Sequence, residues 1–279
     1  MEIGFYVKSA EQLKEVLVRG INPQWIMFGD YGCFKRIPEL EELQQAAGGG
    51  DVKFHYISPK INMGVMDYEY RKVLSFLEQG LDVSINDLGL LYKLRPDLGK
   101  ASPVYLGRLL TKSVNRWVWG DLHVAEEEEK AREYFAQNNF YQQEKMELFR
   151  NWNIKGIETT VFQKEENSLK KIKEQGFEII GYMDQTIAAI SRACPIVRDR
   201  KLAVKGRDCS SYCVNQEYEV TPANLQQKER YPKLMLEGAV LMRSMKPAVT
   251  WDGYEKAVFS ALDAESAASI KEMVGRHDS

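Results

Sequence analysis

Apolar and polar positions in the first 185 residues alternate in two rhythms. Short β-branched or aromatic runs give way to longer stretches in which apolar residues return every three or four positions. That succession predicts repeated strand–helix units around a parallel sheet. The first unit is the clearest. Ile3 to Val7 reads as a strand, Ser9-Ala10-Glu11-Gln12 as a capping box, and Leu13, Val16 and Leu17 as the buried stripe of a helix ending at Gly20. Trp25 to Phe28 reads as the second strand, closed by Gly29-Asp30-Tyr31-Gly32-Cys33, with a helix opening at Pro38. The same rhythm predicts strands over 52–57, 81–85, 104–106, 156–160 and 177–182, and helices over 70–78 and 168–175.

These are seven strands, and one more from 218–220 or 234–242 would complete the eight that close a parallel barrel. The fold expected is therefore α/β, a TIM-type barrel, regular or distorted. An open doubly wound sheet is the alternative, but the first strand–helix turn has no Gly-x-Gly-x-x-Gly to hold a pyrophosphate. Residues 125–149 read as one long charged helix whose opening Glu126-Glu127-Glu128-Glu129 suits the positive end of a helix dipole. Beyond Met245 the pattern reads as helical, over 254–262 and 265–274. The expected organisation is thus a barrel domain over 1–245 and a helical extension over 246–279 packed on it as a cover.

Composition narrows the class without naming a function. Apolar residues make up 44% of the chain and charged residues 28%, which suits an ordinary globular core. Lys and Arg number 38 against 40 for Asp and Glu, so no strong overall field would draw nucleic acid or an anionic membrane. The N-terminus lacks the basic start and apolar core of a secretory signal, and no stretch reaches the roughly 18 apolar residues of a bilayer crossing. A soluble cytoplasmic protein without membrane insertion is expected. In that reducing compartment, four cysteines point to metal binding or catalysis before disulfides.

Three of the four cysteines are close together, as Cys194-x14-Cys209-x3-Cys213, in polar, loop-like sequence. Cys33 lies far upstream in the loop after the second strand. A barrel opens all its post-strand loops at one end, so this separation is no obstacle to a shared site. Four thiolates suit tetrahedral zinc or a 4Fe-4S cluster. Structural zinc sites usually present two short Cys-x-x-Cys pairs, and only one short pair exists here, with three intervening residues. The spacing therefore leans toward iron–sulfur, with zinc and unrelated buried thiols as the other readings.

The cysteine pattern, together with Gly29-Asp30-Tyr31-Gly32-Cys33-Phe34-Lys35-Arg36, Asn86-Asp87-Leu88-Gly89 and Ser191-Arg192-Ala193-Cys194, resembles the U32 peptidase-like (collagenase-like) family. Within it the chain is most similar to one component of the paired proteins that hydroxylate ubiquinone precursors without oxygen. The resemblance covers about residues 1–245. It implies a TIM-type barrel, a 4Fe-4S cluster on Cys33, Cys194, Cys209 and Cys213, and oxygen-independent hydroxylation of a quinone precursor or an RNA pyrimidine, with prephenate as hydroxyl source. It also implies a hetero-oligomer with a second U32-type protein. The chain departs from the pattern in the long helix over 125–149 and in lacking a late strand after Met245.

A cluster whose four ligands are all cysteine offers substrate no open iron, so substrate would bind beside it. The polar candidates in the other post-strand positions are Lys35, Arg36, Asp87, Glu158 and Asp184. Lys35 and Arg36 could hold an anion or be solvated, Asp87 could simply cap the helix starting at Leu88, and Glu158 could face solvent. A non-catalytic accessory or electron-relay subunit of a paired complex explains the same cysteines. A peptidase using Cys33 with His55 or His123 leaves the other three unexplained, and neither His-Glu-x-x-His nor Gly-x-Ser-x-Gly occurs.

Overall fold

The computed structural model describes residues 1–61, 63–111, 137–162, 165–191, 194–195, 218–220, 234–245, 253–260 and 270. Eight parallel strands close into a barrel. In chain order they are β1 (Glu2–Val7), β2 (Trp25–Gly29), β3 (Lys53–Ile57), β4 (Asp82–Ile85), β5 (Val104–Leu106), β6 (Gly156–Thr160), β7 (Glu178–Tyr182) and β12 (Lys256–Phe259). The helices between them are α1 (Ala10–Val18), α2 (Leu40–Ala46), α3 (Met66–Glu78), α4 (Leu88–Leu94), α5 (Gln143–Asn151) and α6 (Glu166–Glu174). The TIM-type barrel expected from the alternating rhythm is the fold observed.

Local chemistry explains the first unit. Ser9 Oγ accepts from the Gln12 amide at 3.3 Å, while the Gln12 side chain accepts from the Lys8 amide at 2.8 Å, so two of the helix-start donors are satisfied. Leu13 and Val16 then pack into the outer core. Along each strand the side chains alternate between two environments. Val83, Ile85, Ile157, Ile179 and Phe259 join the apolar layer between strands and helices, whereas Tyr6, Met27, Ile57, Ile180, Tyr182 and Val258 form a second cluster inside the barrel.

The eighth barrel strand is not where the sequence pattern placed it. Residues 218–220 and 234–242 contribute β9 (Tyr218–Val220), β10 (Leu234–Glu237) and β11 (Val240–Ser244) to a separate antiparallel sheet, ordered β8-β11-β10-β9 with β8 (Gln185–Ile190). The barrel is closed by β12, which pairs with β1 through Glu2↔Lys256 and with β7 through Ile180↔Lys256. This corrects the helical reading of 254–262, the domain boundary after Met245 and the supposed lack of a late strand. Lys-Ala-Val-Phe is too short for periodicity to separate strand from helix. Its pairing supplies the distinction, with Ala257 and Phe259 in the outer core and Val258 in the inner cluster.

The long helix also needs correction in its described part. Asn138 is buried and non-helical, its amide donating to Thr111 O and Thr159 Oγ1, both at 3.1 Å, and to Glu165 Oε2 at 3.2 Å. A short 3-10 turn over Asn139–Tyr141 follows, and α5 begins only at Gln143. Residues 125–136 lie outside the described residues. Among those described, no helix is long and apolar enough to cross a membrane.

Candidate functional site

The C-terminal mouth of the barrel is built first from the end of β2. Gly29 has φ +134°, and a Cβ there would stand 2.1 Å from the Ile57 carbonyl oxygen, so only glycine fits. Tyr6 donates its hydroxyl to the Gly29 carbonyl at 3.0 Å from inside the barrel. The chain then turns around Asp30. Its Oδ1 accepts the amides of Gly32 and Cys33, both at 2.7 Å, and its Oδ2 accepts Arg36 Nε at 3.2 Å. Burial pushes the Asp30 carboxyl up to about 6, against the pull of Arg36 and of the two amides. The Cys33 backbone is held by a side chain three residues before it.

The small antiparallel sheet continues from β7 at this mouth. Its β10–β11 turn, Gly238–Ala239, packs on the Cys33 loop: a Cβ at Gly238 would be 3.6 Å from Cys33 Cβ and 3.1 Å from Arg36 Cδ, and one at Gly32 would be 3.1 Å from Ala239 Cβ. On the other side of the turn, Ile190 pairs with Val240 and the Ser191 amide donates to Ala239 O at 2.9 Å. The segment entering Cys194 therefore leaves from the same turn that Cys33 contacts. Both thiols are half-buried. Cys209, Cys213 and His123 lie outside the described residues, and among the described residues no three His, Cys, Asp or Glu side chains gather as a metal site.

Beneath the mouth lies a polar column that sequence reasoning missed apart from Glu158 and His55. Arg108, just after β5, is fully buried with its guanidinium 3.6 Å from the centre of the Tyr182 ring and 4.6 Å from that of Tyr31. Its Nε donates to Tyr31 Oη at 3.0 Å and one terminal nitrogen to Gln185 O at 2.8 Å. The other terminal nitrogen, Nη2, is buried without a hydrogen-bond partner. Asn86 sets this loop by donating to Ser58 O at 2.9 Å and accepting the Leu109 amide at 3.0 Å. Deeper in, Tyr182 Oη donates to Glu158 Oε1 at 3.3 Å, and Ser84 Oγ lies 2.7 Å from His55 Nε2.

Glu158 is completely buried, which corrects the solvent-facing reading. Burial raises its pKa, opposed by the Ser84 hydroxyl, the Arg108 charge and the Tyr182 hydroxyl. His55 is held well below the ordinary imidazole value, first by burial and then by the Lys256 charge, so it is neutral at pH 7. Its position inside the barrel, bonded to Ser84, does not favour a cysteine-protease pairing with Cys33.

The remaining candidates divide by what they touch. Asp87 caps α4, accepting the Gly89 and Leu90 amides at 2.8 and 3.1 Å. Asp184 accepts the Ser260 amide and hydroxyl while its carbonyl takes the Met245 amide at 2.7 Å, tying β12 and β11 to the end of β7. Lys35 is exposed, with its ammonium 5.7 Å from the Phe34 ring centre. Arg36 is buried on Asp30. Among the polar candidates Arg36, Glu158 and Asp184 are buried, Arg36 on Asp30 and Glu158 below Arg108. Arg108 could have been suspected from its place after a predicted strand, but nothing in Leu-Gly-Arg-Leu distinguishes a buried arginine from a solvated one. No known family model and no curated protein sequence matches the chain.

Proposed function

We propose that this chain is an iron–sulfur protein of the U32 peptidase-like type that takes part in oxygen-independent hydroxylation of a quinone precursor or an RNA pyrimidine, with prephenate as hydroxyl source. The observation that carries the reading is the convergence of Cys33 and the segment entering Cys194 on the Gly238–Ala239 turn, at the end of the barrel where such folds place their chemistry. Half-buried thiols at a barrel mouth are a soft donor set that fits an iron–sulfur centre. Cys33, Cys194, Cys209 and Cys213 would hold it. A 4Fe-4S cluster so bound supplies one-electron chemistry.

The chain's own residues have separate tasks under this reading. Asp30 fixes the Cys33 amide, and Arg36, on the same carboxylate, keeps positive charge beside a thiolate-rich site. Arg108, Tyr31, Tyr182 and Glu158 form a polar floor under the mouth where a substrate group can be oriented away from water. The same reading pairs the chain with a second U32-type protein.

Anaerobic purification followed by iron, sulfide and zinc analysis tests the proposal. About four irons and four sulfides per chain, lost in a Cys33→Ser variant that keeps its circular dichroism, are expected. One stoichiometric zinc and no iron would replace the cluster with the zinc reading. Activity of the isolated chain, against activity only with a partner, separates a self-sufficient enzyme from an accessory subunit.

A further inference from the structure

Arg108 is fully buried, and among the described residues no carboxylate stands within ion-pair distance of it. Burying a guanidinium with no carboxylate in contact is a costly arrangement for a fold. Its orientation is nevertheless closely defined. Tyr31 and Tyr182 cover the guanidinium with their rings, Tyr31 Oη and Gln185 O take two of its edges, and Nη2 is left with no acceptor. Gln185 Oε1 is likewise buried and without a partner. The tyrosine rings belong to the same apolar cluster as Ile187, Val240 and Met242. An anion meeting Nη2 would thus have apolar side chains around its body.

We propose that Arg108 anchors a binding site for a small monocarboxylic acid, whose carboxylate accepts from Nη2 and whose apolar body packs against Tyr31, Tyr182 and the inner face of the β8–β11 sheet. A carboxylic acid is favoured over phosphate because the side chains around the guanidinium, Tyr31, Tyr182 and the cluster that includes Ile187, Val240 and Met242, suit an organic body and offer few donors to a dianion. Gln185, at the start of β8, borders the site through its carbonyl on the guanidinium. The inference adds a ligand class to the mouth used by the function proposed above, but it rests on Arg108 and not on the cysteines. Metal content and ligand binding are read separately, so either can fail alone.

The test uses the purified full chain with benzoate, benzamide as its neutral counterpart, and inorganic phosphate. Benzoate should raise the melting temperature saturably, benzamide and phosphate should not, and Arg108→Met should weaken benzoate binding by roughly tenfold or more at unchanged iron content. Should Arg108→Met fail to fold, Arg108→Lys takes its place, and the arginine Nε–Hε resonances of the unaltered protein give a second readout, one of which should move with benzoate. Equal stabilisation by benzoate and benzamide, stabilisation by phosphate instead, or no response in either readout would overturn the proposal.

Discussion

The two ends of the barrel differ in how completely their buried polar groups are paired. At the N-terminal end a cavity of about 570 Å³ is lined by Glu2, Trp25, Asp82, Lys155, Glu178 and Lys256 among others. Its charges neutralise one another: Lys256 Nζ lies 2.9 Å from Asp82, Lys155 lies 3.0 Å from Glu178, and Lys173 lies 2.8 Å from Glu255. Trp25 Nε1 donates to Glu2, and the Lys256 ammonium also stands 3.2 Å from the centre of a Trp25 ring. At the C-terminal end Arg36 is paired with Asp30, but Arg108 Nη2 and, deeper in the barrel, Glu158 Oε2 and His55 Nδ1 are buried without hydrogen-bond partners. A paired network closes the barrel and asks for nothing further. An unpaired one stores polar capacity that a ligand can use, which is why barrel chemistry belongs at this end.

The sharpest way to break the comparison is to remove one cation from each end. Lys256→Met leaves Asp82 buried and alone and should destabilise the fold by about 3–5 kcal/mol in denaturant titrations. Adding Asp82→Leu should restore at least half of that loss. Arg108→Met removes a charge with no carboxylate in contact, so without added ligand it should cost less than Lys256→Met, about 1–3 kcal/mol for the hydrogen bonds and ring contacts it makes. Equal losses at the two ends would show that Arg108 is as well paired as Lys256.

The Cys33 loop gives the next largest effect. Gly29→Ala would force a methyl group against the Ile57 carbonyl and strain a φ of +134°, and should cost at least about 2 kcal/mol by thermal unfolding. Gly20→Ala, also at positive φ but with open space around it, should cost about 1 kcal/mol. If the two losses match, the close approach of β2 and β3 is not what builds the loop.

An effect smaller than that of Gly29→Ala is set by pH. His55 is neutral in the fold because burial and Lys256 hold its pKa down, whereas in the unfolded chain it takes up a proton near pH 6.5. The unfolded state then binds the additional proton, so the His55 contribution is complete above pH 6.5 and falls as the pH drops below it. Between pH 7.5 and 5.5 the stability gap between the protein and its His55→Gln variant should narrow by about 1.4 kcal/mol. A gap that does not change with pH would mean that His55 titrates alike in the folded and unfolded chain, and one that widens as the pH drops would mean that it is charged inside the barrel.

Seven of the eight barrel strands and the helix starts at Ser9 and Asp87 were legible because each rests on local chemistry: alternation along a strand, or a side-chain oxygen facing exposed amides. The placement of Cys33 after a barrel strand was legible for the same reason. β12 was not, since four residues carry no periodicity and only the open edges of β1 and β7 select them. Residues 218–220 and 234–242 have ordinary strand composition, and composition does not say which sheet a strand joins. Nor could the sequence show that Arg108 and Glu158 are buried while Lys35 is exposed, because a charged side chain is written alike in either place. Burial is a property of what packs around a residue from distant parts of the chain. By itself the sequence determined a barrel and a cysteine at its mouth; the tertiary structure alone decided which charges are paired and which are left open.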